Sequence, residues 1–133
     1  MLTRRRLAAL AAALPALALA ASLTPALALT DQPYDAAAVK KAIASGKPVA
    51  IHVNASWCLQ CRAQASILGR LAKEGRYPDL AVFTVNYDKQ TDVVNQLGVP
   101  RSTFIVYRGG KEAGRMSWGV TEASVVDVLD KAG

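Results

Sequence analysis

A chain of 133 residues with two cysteines has room for one ordinary core and is not a disulfide-dense scaffold. Its formal charge of +6 is partly an end effect: Arg4, Arg5 and Arg6 sit near the start without a neighbouring acid, and residues 29–133 carry only +3. The other basic residues are scattered, with no Lys/Arg stripe interleaved with aromatics, which argues against a nucleic-acid partner.

After the three arginines, Leu7 to Leu29 is uncharged and rich in Ala and Leu. A basic start, an apolar stretch and a small-x-small site form the pattern of a secretory signal peptide. Ala26-Leu27-Ala28 is the expected cleavage site, with Ala18-Leu19-Ala20 as its competitor. The stretch is also long enough to span a bilayer, so an uncleaved anchor is the alternative; Pro25 and the weakly hydrophobic alanines favour cleavage. Thr3-Arg4-Arg5-Arg6-Leu7 loosely resembles a twin-arginine signal, although Ala8 breaks its apolar pair. The expected organisation is a signal over 1–28 and one exported domain over 29–133, placed in a bacterial periplasm.

Residues 29–34 read as a polar lead-in containing Pro33. Residues 35–44 read as a helix with Asp35 as N-cap and Gly46 as stop, and 48–54 as a strand buried on both faces. A helix is expected over 60–73, with Ala63, Ile67, Leu68 and Leu71 on its apolar face and Gly75 and Tyr77-Pro78 ending it. A second buried strand follows over 80–86, then a short helix over 88–97 closed by Gly98. Residues 103–107 form a third strand, Arg108-Gly109-Gly110-Lys111 a hairpin turn, 112–117 a fourth strand, and 121–131 a final amphipathic helix. The order predicts an α/β fold: a mixed central sheet of about four strands with helices on both faces.

Trp57-Cys58-Leu59-Gln60-Cys61 directly follows the first buried strand and contains both cysteines. Thiol–disulfide exchange needs one ionised, exposed thiol and a second able to attack the mixed disulfide. At the start of a helix, orphan N–H groups and the helix dipole favour a thiolate, which makes Cys58 the nucleophile. Cys61, one turn further and better shielded, is the resolving thiol. Trp57 offers an apolar surface on which a partner docks.

The segment from Val53 to Cys61 resembles the active site of the thioredoxin-like family, and the element order is similar over about residues 31–132. Asn86-Tyr87-Asp88 and the run from Ser102 to Gly110 resemble it too. The resemblance implies a thioredoxin-like fold, a redox-active Cys58–Cys61 disulfide and thiol:disulfide oxidoreductase activity. No diffusible cofactor is implied. The implied partners are protein disulfide substrates and a membrane or periplasmic electron donor protein, with the domain acting as a monomer.

Several positions depart from the family. Its cis-proline, which faces the disulfide and precedes a Thr, falls on Ser102, followed by Thr103. A cis bond before a non-proline costs about 3–4 kcal/mol, so Arg101–Ser102 is expected to be trans. An alternative register puts a cis bond at Val99–Pro100. His52 stands where thioredoxins proper carry a buried acid, Thr84 replaces that acid's lysine partner, and Ser66 replaces a helix-kinking proline. His52 is read either as taking the Cys61 proton through a water or as a core imidazole bonded to backbone.

A purely structural disulfide is disfavoured, since so short a loop removes little unfolded-state entropy. Zinc wants four ligands and finds only His52 beyond the two sulfurs, whereas Cu(I) accepts two thiolates; a Cu(I)-binding or metallochaperone module using Cys58 and Cys61 is therefore the alternative function. Trp118 is placed either beside Ser102 on a docking surface or at an amphipathic edge, and Arg62 is a candidate for tuning the helix start. Leu59-Gln60 puts no cation beside Cys58, so a reducing rather than an oxidising couple is expected.

Overall fold

The computed structural model describes residues 29–133; the expected signal and its cleavage site lie outside the described residues. In chain order the elements are β1 (Thr30–Pro33), α1 (Ala36–Ala44), β2 (Val49–Asn54), α2 (Leu59–Lys73), β3 (Ala81–Asn86), α3 (Thr91–Leu97), β4 (Thr103–Arg108), β5 (Lys111–Ser117) and α4 (Glu122–Asp130). One sheet runs β1-β3-β2-β4-β5; the first three strands are parallel, and β4 and β5 are antiparallel to their neighbours.

The sheet has five strands where about four are expected. The extra one, β1, is the polar lead-in Thr30-Asp31-Gln32-Pro33, exposed throughout and without apolar alternation. It forms because the β3 edge offers unpaired backbone groups: Thr30 to Pro33 pair in parallel with Ala81 to Thr84. Proline is tolerated there because an edge strand can leave one side of its ladder unmade.

The helix starts follow local capping. Asp35 accepts from the Ala38 N–H at 2.8 Å, and Thr121 with Ser124 forms a reciprocal cap on α4. Helix α3 begins at Thr91, three residues later than the pattern suggests. Asn86 Oδ1 accepts from the Asp88 and Lys89 N–H groups at 3.1 and 3.0 Å, which holds 87–90 as a turn. Gly109 and Gly110, both at positive φ, make the β4–β5 turn.

Alternation along the sheet divides the core in two. Ala50, Val82, Phe104 and Val106 face α2 and α4, packing on Leu68, Leu71, Val125 and Leu129. Val49, Ile51, Val53, Phe83, Val85 and Ile105 face the other way, against Val39 of α1 and Val93 of α3. Helices therefore cover both faces, and the functional segment sits where β2 leaves the sheet at its carboxyl end and turns into α2.

Candidate active site

Cys58 is the N-cap residue of α2. Its backbone is extended, and its Sγ accepts from the Cys61 N–H at 3.2 Å. The sulfur occupies the place a Ser or Asp oxygen takes at other helix starts, where a negative charge is stabilised. Cys61 lies one turn on, fully buried, with its sulfur 3.9 Å from the Val53 carbonyl oxygen. Both cysteines are free thiols in this structure.

Cys58 differs from expectation in exposure: only 2% of its surface is open, although it begins a helix at the surface. Trp57 beside it is 56% exposed, held by its Nε1–H donating to Asp88 Oδ2 at 2.9 Å and by an edge contact with Tyr87. Over it lies Arg101, whose guanidinium carbon is 4.7 Å from the Trp57 ring and 5.0 Å from the Trp118 ring. A guanidinium within about 6 Å of an indole centroid is attracted to the ring, and Arg101 meets that distance at both.

The two sulfurs are driven apart in acidity. Burial opposes ionisation of Cys58 most strongly, but the Cys61 thiol and backbone N–H and the Arg101 guanidinium outweigh it and hold Cys58 below its ordinary value. Burial pushes the Cys61 thiol up, reinforced by its hydrogen bond to Cys58 and by the charge there. Cys58 is thus the more readily ionised of the two sulfurs. The cation that contributes is Arg101, from the loop before β4 and not from the Leu59-Gln60 dipeptide; Arg62 is exposed on α2.

Among the described residues every peptide bond is trans, Arg101–Ser102 and Val99–Pro100 included. Ser102 instead reaches its place through φ of 63°, the left-handed region that L residues seldom adopt. Its N–H donates to the Val53 carbonyl at 2.8 Å, and its own carbonyl accepts from the Trp118 N–H at 2.8 Å. Its buried hydroxyl has no hydrogen-bond partner among the described residues, and it acts to lower the Cys61 pKa against the larger effect of burial. Thr103 is buried at the start of β4, its Oγ1 within 2.9 Å of the Pro100 carbonyl oxygen and 2.7 Å of Ser117 Oγ, so it ties the loop down.

The His52 ring is bonded to a side chain and not to the backbone. Its ring stacks on Phe104 at 4.3 Å, and its Nε2 lies 2.9 Å from Gln64 Oε1. The Gln64 amide nitrogen donates to the Ser102 and Gly119 carbonyls at 3.1 and 2.9 Å, which fixes the amide orientation and makes His52 Nε2–H the donor. Burial holds the imidazole below its ordinary value, hence neutral. Gln64 and Arg101 are the residues that sequence reasoning missed. Gln64 had a signal, since it shares the Cys61, Leu68 and Leu71 face of α2 and is a polar residue in a buried stripe. Arg101 had none, because its partners come from 57, 58 and 118.

A buried dithiol at the start of a helix that follows a central parallel strand is the arrangement of a dithiol–disulfide exchange site. The thioredoxin family model matches residues 26–131. The "Thiol:disulfide interchange protein CycY" of Rhizobium leguminosarum bv. viciae is 39% identical over 87 residues, 62% of this chain but only 44% of that protein. The H-type thioredoxin of Fagopyrum esculentum is 35% identical over 78 residues, covering 58% of this chain and 66% of that one. Among solved structures, Trxlp from Edwardsiella tarda EIB202 superposes with a TM-score of 0.68 at 37% identity, over 75% of this chain and 98% of that one. The chain belongs to the thioredoxin family.

Proposed function

We propose that the protein is an exported thiol:disulfide oxidoreductase that reduces disulfides in periplasmic client proteins. The observation that carries this is the split between the sulfurs: Cys58 held low at the α2 start beside Arg101, Cys61 held high one turn behind it. The Cys58 thiolate attacks one sulfur of a client disulfide. A Cys58–client bond forms, the client bond breaks, and the displaced client sulfur leaves as a thiolate that takes up a proton. Cys61 then loses its proton and attacks Cys58 Sγ, releasing the second client thiolate and closing the Cys58–Cys61 disulfide. Two electrons have passed to the client. An electron donor protein, in the membrane or the periplasm, returns the pair to the dithiol.

Export rests on the pattern of residues 1–28; none of the described helices is long and apolar enough to cross a membrane. The reducing direction rests on Leu59-Gln60, which adds no cation, and on burial of Cys61, which destabilises its thiolate. Arg101 works the other way, since stabilising the thiolate stabilises the reduced form and raises the potential. The same guanidinium disfavours the Cu(I) alternative by repelling a metal cation from Cys58.

The test is the equilibrium potential of the pair, titrated against a glutathione or dithiothreitol buffer. A value near about −270 mV supports a reductant, whereas one near about −120 mV overturns the direction. Cys58→Ser is expected to abolish turnover of a model disulfide, and Cys61→Ser to accumulate the client-linked intermediate. Full turnover by Cys58→Ser would refute the assignment of the nucleophile.

A further inference from the structure

Arg101 is a cation without a carboxylate counter-ion. The ion pairs among the described residues join Arg70 and Arg76 to Glu122, Arg115 to Glu112 and Lys131 to Asp127, and none involves Arg101. Asp88, at the same face, accepts from the Trp57 indole. Its guanidinium carbon lies near both the Trp57 and the Trp118 rings, and its Nε is buried without a hydrogen-bond partner. It is thus held against Trp57, the residue just before Cys58, where its charge favours the Cys58 thiolate.

The thiolate charge does not stay. When Cys58 attacks a client disulfide its sulfur becomes neutral, and the negative charge moves to the displaced client sulfur and then to solvent. Arg101 is left as an uncompensated cation against the bound client, until Cys61 completes the exchange. The one carboxylate at this face, Asp88, is engaged by the Trp57 indole; the first turn of α2 carries no acid, and exposed Arg62 follows Cys61. The exposed rim is apolar, built from Trp57, Leu59, Trp118 and Val120.

We infer that the site selects client disulfides in which the attacked cysteine is flanked by an acidic residue, whose carboxylate becomes the counter-ion of Arg101 in the mixed disulfide. This rests on the exchange chemistry proposed above and names its substrate class: apolar client segments carrying Asp or Glu beside the cysteine. The planar fork of Arg101 suits a carboxylate, and the indoles hold it ready so that little side-chain freedom is lost on binding. Because the carboxylate is gained as the thiolate charge departs, the attraction is stronger in the mixed disulfide than in the encounter, and it accelerates formation of that intermediate.

The test uses the reduced full chain in single-turnover reactions with three cyclic disulfide peptides that differ only in carrying Asp, Asn or Lys beside the attacked cysteine. Each rate is divided by the rate with dithiothreitol, which removes the intrinsic reactivity of the peptide. The expected normalised order is Asp, Asn, Lys, with about tenfold between the extremes at low salt and a smaller ratio at about 1 M salt. Arg101→Gln is expected to bring the ratio near one and Arg101→Lys to keep part of it. A general loss of Cys58 reactivity in either variant cancels in the ratio. A wild-type ratio near one, or a full ratio retained in Arg101→Gln, overturns the inference. If Arg101→Gln does not fold, the wild-type ratio and its salt dependence decide. Failure of wild type to reduce any of the peptides would overturn the proposed activity instead, a distinct result.

Discussion

Replacing Gln64 by Leu removes a buried amide of nearly the same size and leaves the groups it satisfied. Gln64 is wholly buried and makes three hydrogen bonds: it accepts from His52 Nε2–H at 2.9 Å and donates to the Ser102 and Gly119 carbonyls at 3.1 and 2.9 Å. The Ser102 carbonyl keeps the Trp118 N–H at 2.8 Å, so two groups are orphaned, His52 Nε2–H and the Gly119 carbonyl. Each buried polar group left unpaired costs about 1–3 kcal/mol, while the more apolar Leu returns about 1 kcal/mol. The expected net loss is about 3 kcal/mol, a large fraction of the stability of such a domain. Relaxation of the Gly119 backbone to recover a partner is limited, since a Cβ there would already meet Met116 Sδ at 2.6 Å and Ser124 Oγ at 2.7 Å. Urea unfolding at neutral pH reads this directly: with a slope of about 1.5 kcal/mol per molar, the midpoint falls by about 2 M. A change within about 0.5 kcal/mol, the size of an ordinary surface substitution, would refute the role of Gln64 as the tie between α2 and the Ser102 loop.

Other expectations follow from the same neighbourhood. Burial lowers the His52 pKa, so below about pH 6.5 the unfolded chain takes up a proton that the folded chain refuses. Stability is therefore full above that pH and falls in acid, by at most about 1.4 kcal/mol per pH unit. His52 is the single histidine of the chain, so urea midpoints of wild type and His52→Gln between about pH 7.5 and 5.5 isolate it; parallel slopes would count against it. Ser102→Pro, which restores the usual family residue, is expected to cost about 3 kcal/mol or more, since Pro cannot adopt the φ of 63° or make the bond to Val53. Ser102→Gly permits that φ and is expected to be tolerated; equal thermal stability of the two variants would contradict this account. Arg101→Gln is expected to raise the Cys58 pKa, followed by ultraviolet thiolate absorbance, with Arg101→Lys between it and wild type. An unmoved titration would leave Arg101 without an electrostatic part in Cys58 ionisation.

Much of this protein was legible locally. The cysteine pair, the buried strand before it, the capped helices and the glycine turn are written in short-range patterns, where apolar periodicity and capping chemistry decide the outcome within a few residues. Strand β1 was not, because a polar edge strand has no periodicity of its own and exists by pairing with β3. The identity of the cation near Cys58, its contacts with Trp57 and Trp118, and the His52–Gln64 link to Ser102 were decided only by tertiary structure. Each joins residues far apart in the chain, so no local pattern records it. The sequence alone placed the two cysteines three residues apart after a buried strand; the fold decided what charge and which donors surround them, because acidity depends on distances that only the folded chain sets.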